Sequence, residues 1–178
     1  MHKHEIIQKL IDNISGEAYL EIGLDKGINF NTIRCKNKIS VDPALGQYIY
    51  AKPTYKMSSD EFFKKNKENF DVIFIDGSHE ANQVEKDIDN SLKYLKEGGF
   101  IVCHDINPTS EISQKIPRVQ KEWNGDCWKA WVKIRSTNEK LKMFTIDTDC
   151  GCGIIKRGSQ KLLDLEGLEL TYENLDNN

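Results

Sequence analysis

Apolar residues group along this chain in two ways, as short continuous runs and as stripes with helical spacing. The runs are shorter than most helices and rich in β-branched residues, which is typical of strands buried on both faces of a parallel sheet. The clearest runs cover about 18–22, 38–42, 71–76 and 100–105. Helical stripes lie before and between them, as in 5–14 and in Val84, Ile88, Leu92 and Leu95. Strand–helix alternation over the first two-thirds predicts an α/β fold with a doubly wound sheet.

Weaker elements are predicted in the same region of the chain. A helix near 27–35 follows the first strand, and a short strand is expected around 55–57. Ser58 is then followed by Glu61 three residues later, the spacing of a capping box that begins a helix. The longer helix that carries the 84–95 stripe is expected to stop at Gly98-Gly99.

The last third of the chain predicts a loop, a helix and a hairpin. Residues 106–125 contain Pro108 and Pro117, and a loop of this length is more often a lid or a binding loop than a linker. Trp123 is its candidate pocket residue, whereas Trp128 and Trp131 have the spacing of helix packing. Two strands, about 142–148 and 152–156, are expected to pair as a hairpin across the residues 149–151.

Three of the apolar runs end in an acidic residue, namely Asp42, Asp76 and Asp105. In an open parallel sheet, ligands bind at the carboxyl ends of the strands. A buried strand that ends in an acid therefore brings that acid to the ligand. The sequence predicts a nucleotide-type cofactor site with a candidate metal and base beside it.

The turn after the first strand is the candidate cofactor turn. Gly23 and Gly27 allow the backbone to approach a ligand closely, and Asp42, 19 residues beyond Gly23, could accept both hydroxyls of a ribose. Enzymes that use NAD and enzymes that use S-adenosylmethionine share this arrangement. The G-x-G-x-x-G fingerprint is incomplete, and Asp25 would repel a pyrophosphate but not a cationic sulfonium. The pattern favours S-adenosylmethionine; the alternative is a tight turn with no ligand.

The stretch 19–108 resembles the class I S-adenosylmethionine-dependent methyltransferases, in particular a small family associated with sugar and cell-surface biosynthesis. The resemblance rests on Tyr-Leu-Glu-Ile-Gly at 19–23, Val-Asp-Pro at 41–43 and the segments 70–79 and 98–105, and more loosely on 125–130 and 147–153. It implies a Rossmann-like sheet of seven strands, mostly parallel with an antiparallel last strand. It also implies that Glu21 and Gly23 line the methionine part of the cofactor, that Asp42 binds the ribose, and that Ser58 or Ser59 lies near the adenine. Asp25 departs from the family, since many members carry a glycine there.

A candidate metal and base lie at the ends of two neighbouring strands. Asp76, His104 and Asp105 could converge on one ion, because adjacent parallel strands lie about 4.8 Å apart. Carboxylates suit magnesium, and the histidine favours manganese, iron or zinc. In metal-dependent O-methyltransferases that this chain resembles, the position of His79 carries the base, so His79 with Asp76 is the candidate catalytic pair. Alternatively, Asp76 caps the next helix and His79 lies in its first turn with no chemical role.

We therefore expect an S-adenosylmethionine-dependent methyltransferase that methylates an oxygen of a small hydroxylated, sugar-like acceptor, with a divalent metal such as magnesium or manganese as candidate second cofactor. Two alternatives stay open: a non-catalytic cofactor-binding accessory subunit, and a nicotinamide-dependent oxidoreductase. The oxidoreductase is disfavoured by the missing third glycine and by the lack of a Tyr-x-x-x-Lys pair.

Length, charge and cysteine content indicate which partners and which cellular location are expected for this protein. The chain has 178 residues, a net charge of −3 and a pI near 5.8, which favour a single domain over 1–178 and no nucleic-acid partner. No apolar stretch approaches the roughly 18 residues of a membrane span, and the polar start does not resemble a signal peptide. An odd count of five cysteines favours reduced thiols in the cytoplasm. The short chain leaves little room for a substrate domain, so a homo-oligomer is a candidate for completing the pocket.

Overall fold

The structure, a computed structural model, describes residues 1–43 and 50–176. These residues form one six-stranded sheet with the spatial order β2-β1-β3-β4-β6-β5. The strands are β1 (Ala18–Ile22), β2 (Asn37–Val41), β3 (Phe70–Ile75), β4 (Leu95–Cys103), β5 (Leu141–Ile146) and β6 (Cys152–Arg157). The first four pair in parallel, whereas β6 runs antiparallel to both β4 and β5. The predicted α/β sheet, mostly parallel with an antiparallel last strand, is confirmed, and so is the C-terminal hairpin.

The expectation of seven strands is not confirmed, because the described part of the chain contains six. The segment 55–57 forms no strand, although Tyr55 makes a single parallel bridge to Val41 at the end of β2. It is confined between Pro53, which has no N–H to donate to a ladder, and Ser58, which caps the following helix.

Helices cover both faces of the sheet, as the doubly wound prediction requires. The helices are α1 (Lys3–Asn13), α2 (Ile28–Thr32), α3 (Ser59–Lys65), α4 (Ala81–Tyr94), α5 (Cys127–Thr137) and α6 (Tyr172–Asp176). Side chains of β3 alternate between the two layers. Ile73 and Ile75 pack with α3, α4 and α5, whereas Val72 and Phe74 pack with α1 and with residues in and after α2.

Three boundaries differ from the prediction. The 84–95 stripe ends one residue early, because Leu95 adopts an extended conformation and pairs with Phe70. Gly98-Gly99 consequently lies inside β4, where the register shifts, instead of stopping a helix. The predicted 27–35 helix is the shorter α2, which ends where Ile33 becomes extended.

The 106–125 segment is a loop with a single 3₁₀ turn at Ile112–Gln114, as expected. The five cysteines are all free thiols. Among the described residues, none of the helices has the length and apolar character needed to cross a membrane.

We expect Ile73→Ala to lower the free energy of unfolding by about 2–5 kcal/mol, because Ile73 is fully buried in a central strand and its truncation leaves a cavity. Phe144→Ala is the control, since Phe144 lies on edge strand β5 with 50% of its surface exposed, and we expect it to cost less than about 1 kcal/mol. Urea unfolding measures both. Equal costs would contradict this placement of the core.

Candidate active site

A cavity of about 780 Å³ opens at the carboxyl ends of β1, β2, β3 and β4. Its volume falls within the usual range of about 300–1,000 Å³ for small-molecule sites. The wall contains eight of the ten residues predicted to bind the cofactor or a metal or to act in catalysis: Gly23, Asp42, Ser58, Ser59, Asp76, His79, His104 and Asp105. Glu21 and Gly27 are not among the described residues that line it.

The turn after β1 depends on a close approach between two strand ends. Gly23 has a φ of 87°, and a Cβ at this position would lie 2.1 Å from the carbonyl oxygen of Asp76. Asp42 fixes the same turn, because its Oδ2 accepts hydrogen bonds from the amides of Leu24 at 2.7 Å and Asp25 at 3.3 Å. The carboxylate predicted to bind ribose is thus also the support of the glycine turn.

Gly27 has a structural role in this fold. It has a φ of 80° at the start of α2, and an added Cβ would lie 2.6 Å from the amide nitrogen of Ala51. A glycine is needed at position 27 because the chain at Ala51 packs closely against it. The sequence placed Gly27 in the cofactor turn, whereas the structure places it beside the cavity wall.

Glu21 lies behind the turn in a buried polar network. Its carboxylate accepts hydrogen bonds from the Tyr19 hydroxyl at 2.5 Å and from Asn29 Nδ2 at 2.7 Å. Burial raises the pKa of Glu21 to about 7, although these two hydrogen bonds oppose the shift. The Glu21 carboxyl group therefore links β1 to Asn29 in α2.

A polar wall closes the end of the cavity at α3 and α4. Ser58 caps α3 and its Oγ accepts the Glu61 amide at 3.2 Å, so the predicted capping box is present. Ser59 Oγ accepts a hydrogen bond from Gln83 Nε2, which also donates to Asp87 Oδ1 at 3.1 Å. Burial raises the pKa of Asp87 to about 6.

Sequence reasoning missed Gln83 and Asp87, although a signal was present. Asp87 lies on the inward stripe of α4 between Val84 and Ile88, where an acid is out of place unless it has a polar partner.

Asp76, His79 and Asp105 form the densest group of potential metal ligands in the described structure. One ligand atom from each lies within 4.8 Å of the others. His79 Nε2 is 3.5 Å from Asp76 Oδ1 and 3.4 Å from Asp105 Oδ2. His104 Nδ1 approaches the same two oxygens, at 3.4 and 3.1 Å. The four predicted residues are therefore brought together at one point.

His104 is 8% exposed, and neither of its ring nitrogens makes a hydrogen bond of acceptable geometry. Burial would lower the pKa of His104, but Asp76 and Asp105 outweigh it and raise the pKa to about 10. Burial likewise acts to raise the pKa of Asp76, yet His104, His79 and Lys3 hold that pKa well below its usual range. The two carboxylates are therefore faced by both histidines and, at Asp76, also by the Lys3 ammonium.

Lys3 is a member of the site that the sequence did not predict. Its Nζ donates to Asp76 Oδ2 at 2.7 Å, and its backbone amide donates to Asp149 Oδ2 at 2.9 Å. Lys3 is separated from Asp76 by 73 residues. Nothing in the local pattern near the start of the chain indicates this contact, which requires α1 to be docked on the sheet.

Trp123 holds His79 in place. Its carbonyl oxygen accepts a hydrogen bond from His79 Nδ1 at 3.1 Å, and the two rings stack with centroids 5.1 Å apart. The Arg118 guanidinium lies 5.7 Å from the Trp123 ring centroid. Trp123 therefore lines the cavity as predicted, with its ring engaged by its own chain. Trp128 and Trp131 are buried in the core, as their spacing indicated.

Comparison with known proteins agrees with this description. Residues 40–106, just over a third of the chain, match the family described as a methyltransferase domain. An O-methyltransferase from Bacillus cereus in complex with S-adenosylhomocysteine has a TM-score of 0.65 and 12% identity, covering 88% of this chain and 80% of that chain. An O-methyltransferase from Streptomyces achromogenes in complex with S-adenosylmethionine has a TM-score of 0.64 and 11% identity, with the same coverage.

A methyltransferase from Podospora anserina bound to S-adenosylhomocysteine has a TM-score of 0.67 and 13% identity, covering 88% of this chain and 78% of that chain. No curated protein sequence matches the chain significantly. At these identities the likeness concerns the fold, which is the Rossmann-like fold of the methyltransferases.

Gly23→Ala should lower the free energy of unfolding by about 2–5 kcal/mol, because it combines a left-handed φ with a clash against the Asp76 backbone. Gly98→Ala is the matched control: Gly98 has a φ of 75°, but an added Cβ meets nothing within 4 Å. We expect Gly98→Ala to lower the free energy of unfolding by about 1 kcal/mol in the same urea unfolding experiment. Similar losses in both variants would show that the close approach at Gly23 is not important.

The raised pKa of Glu21 predicts a pH-dependent stability. The folded protein keeps a proton that the unfolded chain releases above its ordinary pKa of 4.5, so the stabilising contribution of Glu21 is complete below that value and is lost as pH rises through about 7. Unfolding of the wild type and Glu21→Gln should be compared from pH 4 to pH 8. The wild type should lose up to about 3 kcal/mol relative to the variant over this window. A constant difference between the two proteins would refute the raised pKa.

Proposed function

We propose that this protein is an S-adenosylmethionine-dependent methyltransferase that transfers the methyl group to a hydroxyl of a small acceptor. One observation carries the proposal: the Gly23 turn with Asp42 and the cluster around Asp76 face the same cavity. A cofactor site and a candidate acid–base and cation site are thus next to each other. The methyltransferase fold supports the same conclusion.

The charge of the cavity wall favours a cationic cofactor. Six acidic residues line it against the two basic side chains of Lys3 and Arg118 and the two imidazoles of His79 and His104; the acidic residues are Asp25, Asp42, Asp60, Asp76, Asp87 and Asp105. A pyrophosphate would be repelled by these groups, whereas a sulfonium would be attracted. This disfavours a nicotinamide dinucleotide and supports S-adenosylmethionine.

The cofactor would extend along the strand ends. Asp42 would accept the ribose hydroxyls, since a carboxylate can accept several hydrogen bonds at its two oxygens. Ser58, Ser59 and Gln83 would face the adenine, whose polar edge suits that wall. Gly23 would allow the methionine part to pass close to the backbone at the end of β1.

The residues around Asp76 fit a divalent cation. His104 is buried with no hydrogen bond and faces two carboxylates. The carboxylates suit magnesium or manganese, and the imidazole favours manganese of the two. Asp76, Asp105 and His104 would hold the ion. When bound, such an ion lowers the pKa of a hydroxyl that contacts it.

His79 would be the base. Its Nδ1 donates to Trp123, so Nε2 is the nitrogen that faces the cluster and can take a proton. The acceptor oxygen would attack the methyl carbon as the carbon–sulfur bond breaks, and His79 Nε2 would take the hydroxyl proton. S-adenosylhomocysteine and the methyl ether are the products. Burial acts to lower the pKa of His79, but Asp76 and Asp105 outweigh it and raise that pKa. A sulfonium and a divalent cation bound nearby would lower the pKa again, which favours the unprotonated form that a base requires.

The acceptor that we propose is a hydroxylated small molecule such as a sugar. Most of the residues that line the cavity are polar or charged, which supports this class, and so does the resemblance of the motifs to proteins of sugar and cell-surface biosynthesis. His79 and the three cation ligands would then select an acceptor that offers a hydroxyl at the cluster.

Calorimetry with S-adenosylhomocysteine, NADH and Mn²⁺ tests the proposal directly. We expect S-adenosylhomocysteine to bind and to raise the melting midpoint, and NADH to bind more weakly. Asp42→Asn keeps the shape of the side chain but replaces one acceptor by a donor, so it should weaken S-adenosylhomocysteine binding about tenfold or more. Asp147→Asn, which changes an acid outside the cavity, is the control. If the wild type does not bind S-adenosylhomocysteine, or binds NADH more tightly, the proposal is wrong.

The assignment of the two histidines has its own test, which needs no acceptor. His104→Ala should lower Mn²⁺ affinity about tenfold or more, because it removes a ligand. His79→Ala should change Mn²⁺ affinity by less than about threefold, because a base is not a ligand. Titration with Mn²⁺ followed by electron paramagnetic resonance measures both. If His79→Ala lowers the Mn²⁺ affinity more than His104→Ala does, His79 is the ligand and the assignment of the two histidines is wrong.

A further inference from the structure

The second half of the long loop between β4 and α5 contacts two members of the cluster. We refer to residues 123–126 (Trp-Asn-Gly-Asp) as the clamp segment. Asn124 Nδ2 donates to Asp105 Oδ1 at 2.6 Å. Both residues are 5% exposed, so this hydrogen bond is shielded from water.

The orientation of the Asn124 side chain is fixed by its neighbours. Asn124 Oδ1 accepts the Thr109 amide at 3.4 Å, which identifies the other side-chain atom as the donor to Asp105. The backbone amides of Asn124 and Gly125 both donate to the carbonyl of Ser113, at 2.9 and 3.1 Å. Asn124 is therefore held at both its backbone and its side chain.

The hydrogen bond from Asn124 determines which oxygen of Asp105 faces the cluster. Oδ1 is occupied by Asn124, and Oδ2 lies 3.4 Å from His79 Nε2 and 3.1 Å from His104 Nδ1. Asp105 follows β4 directly with a left-handed φ of 59°, which is uncommon for a residue other than glycine. The position of the Asp105 side chain is therefore set by its surrounding contacts, of which the hydrogen bond from Asn124 is the shortest.

The same clamp segment also holds the backbone of His79. The Asp126 amide donates to the His79 carbonyl at 3.0 Å, and Asp126 Oδ1 accepts the Ala81 amide at 2.7 Å. A Cβ at Gly125 would lie 1.9 Å from the His79 carbonyl oxygen, so only glycine allows this approach. Asp105 and His79, two predicted members of the site, are thus both held by the clamp segment.

We propose that Asn124 is a positioning residue, which turns the Asp105 carboxylate so that Oδ2 is presented to a divalent cation. The inference rests on the proposed function, because it assumes that the cluster is a cation site. A carboxylate that is already oriented loses less freedom when it binds an ion, and outer residues of this kind typically change metal affinity by about 10- to 100-fold. The loop between β4 and α5 would in this way set the geometry of the cation site.

The test measures Mn²⁺ binding to Asn124→Ala by calorimetry and by the electron paramagnetic resonance spectrum of the bound ion. We expect affinity to fall about tenfold or more, with a changed spectrum, because Asp105 is then free to rotate. The matched control is Asn107→Ala, which removes an Asn-to-Asp hydrogen bond of 2.8 Å to Asp147, outside the cavity. Its Mn²⁺ affinity and spectrum should match the wild type.

Binding of S-adenosylhomocysteine separates positioning from a general loss of structure. Asn124→Ala should keep this affinity within about twofold, because the Gly23 turn does not contact Asn124. If Asn124→Ala does not fold, Asn124→Ser replaces it with the same expected loss, since a serine hydroxyl is too short to span to Asp105.

The inference is overturned if Asn124→Ala binds Mn²⁺ as the wild type does, if it loses both ligands to the same extent, or if the wild type binds no Mn²⁺. Absence of S-adenosylhomocysteine binding to the wild type, with Mn²⁺ binding and its dependence on Asn124 intact, would contradict the proposed function and leave the positioning role supported.

Discussion

Burial of two carboxylates, Asp76 and Asp105, at neighbouring strand ends is the constraint on which this site depends. A charged carboxylate removed from water is unstable unless nitrogen donors or a cation compensate for it. Here the compensation comes from four parts of the chain: Lys3 from α1, His79 before α4, His104 after β4 and Asn124 from the long loop. The cluster therefore ties together elements that are distant in sequence.

The Gly23 turn lies beside the same strand ends. The close approach of Gly23 to the Asp76 backbone brings the ends of β1 and β3 together, and Asp42 fixes the turn from the other side. A ligand that lies on this turn is consequently next to the buried carboxylates. Methyl transfer to a hydroxyl needs this proximity, since the donor carbon, the acceptor oxygen and the base must meet at one point.

Much of this arrangement could be predicted from the sequence, because strand ends in a parallel sheet meet at a common edge. That rule brought Asp42, Asp76, His104 and Asp105 together from the ends of apolar runs, and His79, three residues after Asp76, was added by the resemblance to metal-dependent O-methyltransferases. The sequence could not indicate Lys3 or Asn124, because their contacts span 73 and 19 residues and depend on how α1 and the loop pack. Gly27 was assigned to the cofactor turn because a glycine lets the backbone approach a ligand, but close packing against Ala51 also requires a glycine, and the sequence does not distinguish the two.

A crystal structure of the protein soaked with S-adenosylhomocysteine and Mn²⁺, with anomalous diffraction to locate the ion, would test the central claim most directly. We predict that the ribose contacts Asp42 and that one anomalous peak lies between Asp76 and Asp105, within about 2.0–2.3 Å of a carboxylate oxygen of each. A cofactor bound elsewhere, or an ion that avoids both carboxylates, would contradict the account.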